Sequence, residues 1–120
     1  MKKHDNYTLV LDTLNCYLPD EMDGDEIFLK MKGEKIWPKN KKFEVINSES
    51  FDLDVEIHDL KKDEEVTIEL WDFDLISKND HLGNFKFTID KPGGPYNTDL
   101  DLNIKEGDKA RYNLRWHIVT

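Results

Sequence analysis

Cysteine is nearly absent. Cys16 stands alone in 120 residues, which excludes an internal disulfide and any zinc site built from several thiolates. At the end of an apolar alternating run it reads as a small buried hydrophobe. A long apolar stretch is also missing: no window is apolar for long enough to span a bilayer, and no signal-peptide core follows the opening Met1-Lys2-Lys3-His4-Asp5-Asn6. The expectation is a protein that is cytoplasmic or peripheral to a membrane, with export open only to a route that needs no signal peptide. Positive charge is scarce, since 17 Lys and Arg against 26 Asp and Glu leave a formal charge of -9. That sign is wrong for nucleic acid, which needs a basic footprint to release phosphate counterions. There is no Gly-x-Ser-x-Gly elbow and no phosphate-cradling glycine loop, and His4, His58, His81 and His117 fit no zinc-ligand spacing. Nothing pairs a nucleophile with a base, so the chain is not expected to be an enzyme.

What the chain does contain is apolar alternation. Phe51, Leu53, Val55, Ile57; Val66, Ile68, Leu70; Phe85, Phe87, Ile89; Leu100, Leu102, Ile104; and Tyr112, Leu114, Trp116, Ile118 each follow a period of two, the mark of half-buried strands. With Tyr7 to Tyr17, Ile27 to Met31 and a strand around Lys35 to Trp37, the count is eight. Turn-rich pieces separate them: Pro19 to Gly24, Lys61-Lys62-Asp63 and Lys91-Pro92-Gly93-Gly94-Pro95. Asn40 to Ser50 reads as a long connection with some strand character. The fold class is all-β, an eight-stranded antiparallel β-sandwich occupying residues 1–120 as one domain.

The densest chemistry lies in Trp71-Asp72-Phe73-Asp74-Leu75-Ile76-Ser77-Lys78-Asn79-Asp80-His81-Leu82-Gly83, where Asp72, Asp74 and Asp80 leave a strand through one loop. Two like charges about 4 Å apart repel by about 4 kcal/mol at an effective dielectric near 20. A cation relieves that repulsion, and hard cations such as calcium take several carboxylate and carbonyl oxygens in flexible geometry. A solvated acidic turn is the plainer reading, because the glycine and terminal glutamate of an EF-hand loop are lacking. A second acidic group, Asp20, Glu21, Asp23 and Asp25, falls between the first two strands. Its plainer reading is a turn punctuated by Pro19 and Gly24.

These segments resemble the calcium- and lipid-binding C2 domain. Ile68 to Asp74 followed by Asn79 to Gly83 is similar to the family's third calcium-binding loop in residue types and in both carboxylate spacings. Asp25-Glu26-Ile27-Phe28-Leu29-Lys30-Met31 resembles the strand entered from its first loop, and Asn47 to Phe51 the approach to a later strand. The opening strand resembles the one leading into that first loop. The closing strand, Tyr112 to Val119, would then lie beside it, giving the family's circularly permuted type II topology. The resemblance implies Ca2+ held by Asp72, Asp74 and Asp80 with Asp25 and Asp20. The chain departs from the family's Asp-Pro-Tyr at Asp25-Glu26-Ile27, and Asp20 to Asp25 is one residue shorter than the usual separation, which leaves two readings: Asp23 substitutes for Asp20, or the first loop contributes a single ligand.

The function implied is calcium-dependent docking on anionic phospholipid membranes. Leu75, Ile76 and Met22, with Leu18, are the apolar residues beside the site, and each Leu or Ile buried in an interface contributes about 1.5 to 3 kcal/mol. Folding back over the sandwich end is the alternative for them. Lys30, Lys32 and Lys35 belong to a lysine-rich stretch that in this family can contact phosphoinositides, although lysine is also ordinary protection for an edge strand. The competing function is a calcium-independent protein-protein interaction or structural adaptor on the same sandwich.

Overall fold

The computed structural model describes residues 6–18, 25–41, 43–46, 49–75, 78–102 and 110–120. In β1 (Asn6–Leu18) the buried side chains fall at Tyr7, Leu9 and Leu11, then shift parity to Leu14 and Cys16. A period of two cannot change phase without an extra residue. Asp12 is that residue: β1 pairs with the closing strand through Leu11↔Trp116 and Thr13↔Arg115, and Asp12 has no ladder partner between them. The bulge keeps both apolar sets facing inward. β5 (Ser50–Lys61) makes a similar adjustment against β1, with Asp54 and Asp59 in left-handed backbone where the register slips. Aspartate accepts that conformation more readily than most residues.

β2 (Asp25–Met31), β6 (Glu65–Asp72) and β7 (Asp80–Thr88) form the centre of the second sheet, and β10 (Arg111–Val119) closes the first. With β3 (Glu34–Trp37), β4 (Glu44–Ile46), β8 (Gly93–Asp99) and β9 (Asp101–Leu102), the sheets run β5-β1-β10-β8 and β3-β2-β6-β7-β9, with β4 also on β2, and every pairing is antiparallel. Their inner faces meet through Leu9, Leu11, Ile27, Leu29, Ile68, Leu70, Phe85 and Leu114, all at zero exposure. The result is the expected antiparallel sandwich. β10 lies between β1 and β8, the position that the permuted topology requires of a closing strand.

Two details refine the alternation-based reading. The strand expected around Lys35 to Trp37 is β3 (Glu34–Trp37), and the connection expected over Asn40 to Ser50 carries a short strand of its own, β4 (Glu44–Ile46), both on β2. Pro38 stands directly after β3 and has no N–H with which to continue the ladder. The piece read as a turn, Lys91 to Pro95, instead enters β8 (Gly93–Asp99), while the strand expected over Leu100 to Ile104 is reduced to β9 (Asp101–Leu102); Ile104 lies outside the described residues. β8 is an edge strand with only Thr98 half-buried, so it carries no apolar period. Backbone pairing with β10 and the Trp116 Nε1–H to Thr98 Oγ1 hydrogen bond of 2.9 Å hold it. Gly94 permits the approach, because a Cβ there would lie 2.9 Å from His117 Cβ.

Gly83 performs the corresponding role for β9. A Cβ at that position would meet the Asp101 carbonyl oxygen at 2.4 Å and Leu100 Cγ at 3.0 Å. Gly83→Ala should therefore lower stability by about 1 to 3 kcal/mol, read as a reduced midpoint in urea melts. An unchanged midpoint would mean that β9 does not cross so close to β7.

Candidate functional site

The inward row of β2 runs Asp25, Ile27, Leu29, Met31, and that of β6 runs Val66, Ile68, Leu70, Asp72. Each ends in a carboxylate at the same pole, because Ile27 pairs with Asp72 and Asp72 with Asp80. Core strands thereby carry two aspartates into the closed end of the sandwich, where Asp25 is 0% and Asp72 4% exposed. Burying a carboxylate is costly unless donors compensate. The Tyr112 hydroxyl donates to Asp25 Oδ2 at 2.5 Å, and the Glu26 backbone N–H donates to Asp72 Oδ1 at 2.9 Å. Phe73 N–H donates to the Glu26 carbonyl at 2.6 Å, so the β6 exit is bound to the β2 entry from both directions.

Asp74 is exposed and Asp80 half-buried. The Asp74 backbone N–H donates to Asn79 Oδ1 at 2.9 Å, drawing the ends of the loop after β6 together. Leu75 is 86% exposed at that loop. Asp20, Asp23, Met22 and Ile76 lie outside the described residues. Of the implied calcium ligands, the fold thus assembles Asp25, Asp72 and Asp80 at adjoining strand ends, with Asp74 on the loop between the latter two. Hard carboxylate oxygens are the donor chemistry that suits calcium. Among the described residues, no three His, Cys, Asp or Glu side chains stand close enough to hold a metal ion. The donor types alone are those that suit the ion.

The lysines occupy the outer face of the same sheet. Lys30 and Lys35 are cross-strand partners on β2 and β3, and Lys32 occupies the turn between them. Lys30 Nζ lies 4.8 Å from the Trp71 ring centroid, over a stack in which Trp71 and His81 are 4.7 Å apart at 8°. Lys35 Nζ donates to the Lys41 carbonyl. These contacts give two of the three lysines a structural use on the outer face of the sheet.

Tyr112 is the participant that sequence reasoning placed only as one apolar position of the last strand. Its hydroxyl joins the two sheets across the pole. Burial, and then the adjacent Asp25 carboxylate, push its phenol well above the ordinary tyrosine pKa. A phenol whose pKa is raised on folding stabilises the fold fully below the unfolded value of about 10 and loses that contribution as pH rises beyond it. Tyr112→Phe in chelator should cost about 1 to 3 kcal/mol at neutral pH by leaving the carboxylate short of a donor. It should also flatten the alkaline fall in stability seen in urea melts between about pH 8 and 11. Equal alkaline slopes in the two proteins would contradict this assignment.

No protein-family model matches the chain, and no curated protein matches it either. Solved structures do match, 29 chains in all. Among them is the C2 domain designated A of a plant extended synaptotagmin 1, with a TM-score of 0.57 and 16% identity over 98% of this chain and 95% of that one. The likeness spans essentially both chains and shows that this protein has the fold of a C2 domain.

Proposed function

We propose that the protein is a calcium-dependent module that docks on anionic phospholipid membranes. The observation that carries this reading is the pair of buried aspartates, Asp25 and Asp72, held at one pole by Tyr112 and the Glu26 amide. Core positions seldom hold carboxylates unless their charge is used. In this reading Asp25, Asp72, Asp74 and Asp80 hold Ca2+ together with Asp20 or Asp23 from the preceding loop. The bound ion supplies positive charge where a protein of net charge -9 would otherwise repel an anionic surface. Tyr112 and the Glu26 N–H keep the two buried carboxylates in fixed rotamers, so the fold bears their ordering before any ion arrives. Leu75, already in water, enters the lipid interface with little loss of internal packing. Ile76 and Met22 belong to the same membrane contact. No helix among the described residues is long and apolar enough to cross a membrane, and attachment here needs none.

Calorimetry with calcium tests the reading on the wild type and on an Asp72→Asn, Asp74→Asn double variant. The wild type should give saturable heat that the variant lacks. Calcium at about 100 times its dissociation constant should stabilise the wild type by about 2.7 kcal/mol. Absence of wild-type heat at millimolar calcium would reject the metal site. Absence from the phosphatidylserine vesicle pellet both with and without calcium would instead favour the calcium-independent adaptor.

A further inference from the structure

The outer face of the first sheet carries a row of polar side chains that crosses all four of its strands. Ser50 on β5 pairs with Asn15 on β1, Asn15 with Asn113 on β10, and Asn113 with Asp99 on β8. Their side chains bond in the same order. Ser50 Oγ–H donates to Asn15 Oδ1 at 2.5 Å, Asn15 Nδ2–H to Asn113 Oδ1 at 3.4 Å, and Asn113 Nδ2–H to Asp99 Oδ1 at 2.9 Å. Every donation runs toward β8, and Asn113, only 6% exposed, engages both halves of its amide within the row. The row therefore holds the Asp99 carboxylate in one orientation. Asp99 itself is exposed, and the bond from Asn113 takes up one of the roughly four acceptor positions of a carboxylate.

This row ends at an open cavity of about 760 Å3, a volume in the range of small-ligand sites, with Tyr17, Leu18, Asp99, Arg111 and Tyr112 among its walls. Tyr17 sits at a register shift of β1, between the pairs Cys16↔Tyr112 and Leu18↔Arg111, and is 63% exposed. A bulge of this kind re-aims a side chain, and here it leaves an aromatic ring in water. The wall chemistry selects among ligands. A fixed carboxylate opposes an anion, and a guanidinium in the same wall opposes a cation. A purely apolar molecule would strip water from both charged groups without replacing their hydrogen bonds. A neutral polyhydroxylated ring satisfies all three. Its hydroxyls donate to Asp99, its oxygens accept from the exposed Arg111, and its slightly positive C–H face packs on the negative face of the Tyr17 ring.

We propose that this cavity binds a neutral hexose, free or as the end unit of a glycan. Asp99 accepts from adjacent hydroxyls, Arg111 donates to a hydroxyl oxygen, and Tyr17 stacks on the sugar ring. Tyr112 contributes wall alone, its hydroxyl being committed to Asp25. The site uses neither the buried aspartates nor a divalent ion, so it stands apart from the calcium and membrane reading.

Amide-resolved NMR titration with the methyl glycosides of glucose, galactose and mannose, in chelator, tests the site. At least one of them should give saturable shifts at Tyr17, Asp99 and Arg111. Asp99→Asn keeps an acceptor for Asn113 but removes the charge, and should weaken binding about tenfold, the worth of one hydrogen bond to a charged group. Tyr17→Ala, at an exposed position, should weaken it about fivefold through the lost ring contact. Arg115→Gln, exposed on the same strand but outside the cavity walls, should bind as the wild type does. The absence of saturable shifts with all three sugars overturns the proposal, as does wild-type affinity in Asp99→Asn or an equal loss in Arg115→Gln. Shifts reproduced by inorganic phosphate overturn it too, replacing the sugar with an anion. A glycan array separates the two sources: retention on immobilised chains ending in the same hexose assigns a glycan, and its absence beside NMR binding assigns the free sugar.

Discussion

Taking two carboxylates out of water at the end of a β-sandwich is the constraint from which the rest of this pole follows. Asp25 and Asp72 continue inward rows that are otherwise aliphatic, and burial of an uncompensated carboxylate would cost more than most single packing contacts return. Donors from both sheets answer that cost. Tyr112 reaches across from the opposite sheet, and the Glu26 amide is supplied by the neighbouring strand. Those bonds explain why the exit of β6 and the entry of β2 are tied so closely and why a large phenol occupies a buried position on the closing strand.

The same arrangement sets how the pole responds to its surroundings. Carboxylates oriented by the scaffold lose little further freedom when a cation arrives, so more of the interaction is expressed as affinity. The surrounding surface divides by sheet. Leu75 projects from the loop after β6, while Tyr17, Leu18 and Arg111 border the opposite side. Apolar and cationic groups thus flank an anionic centre, and in the proposed reading that centre must be neutralised before an anionic membrane is met. Of the lysines around β2 and β3, Lys30 is engaged with Trp71 and Lys35 with the Lys41 carbonyl.

Much of the fold was legible because alternation is a direct print of the pleat. Val66, Ile68 and Leu70 gave β6 its inward row, and the closing strand was placed correctly beside the opening one by resemblance alone. What escaped was structure held by backbone rather than by apolar burial. β8 has glycines, a proline and exposed side chains because it is an edge strand, so nothing in its residue pattern reports a strand. The parity change in β1 was visible as Leu11 followed by Leu14, but only the ladder shows that Asp12 absorbs it. For the site, the carboxylates could be singled out by crowding, whereas their donors could not. A tyrosine 87 positions from its partner carries no local signal, and the Glu26 amide is a backbone group present at nearly every residue.

The central claim is that the aspartates of this pole act together on one divalent ion. Residue-resolved NMR on the isotope-labelled protein during calcium addition tests it most directly. The account predicts saturable shifts concentrated at Asp25, Glu26, Asp72, Asp74 and Asp80, with smaller ones at Tyr112 through its bond to Asp25. Shifts spread without saturation over the many exposed carboxylates, or none at Asp25 and Asp72, would contradict it.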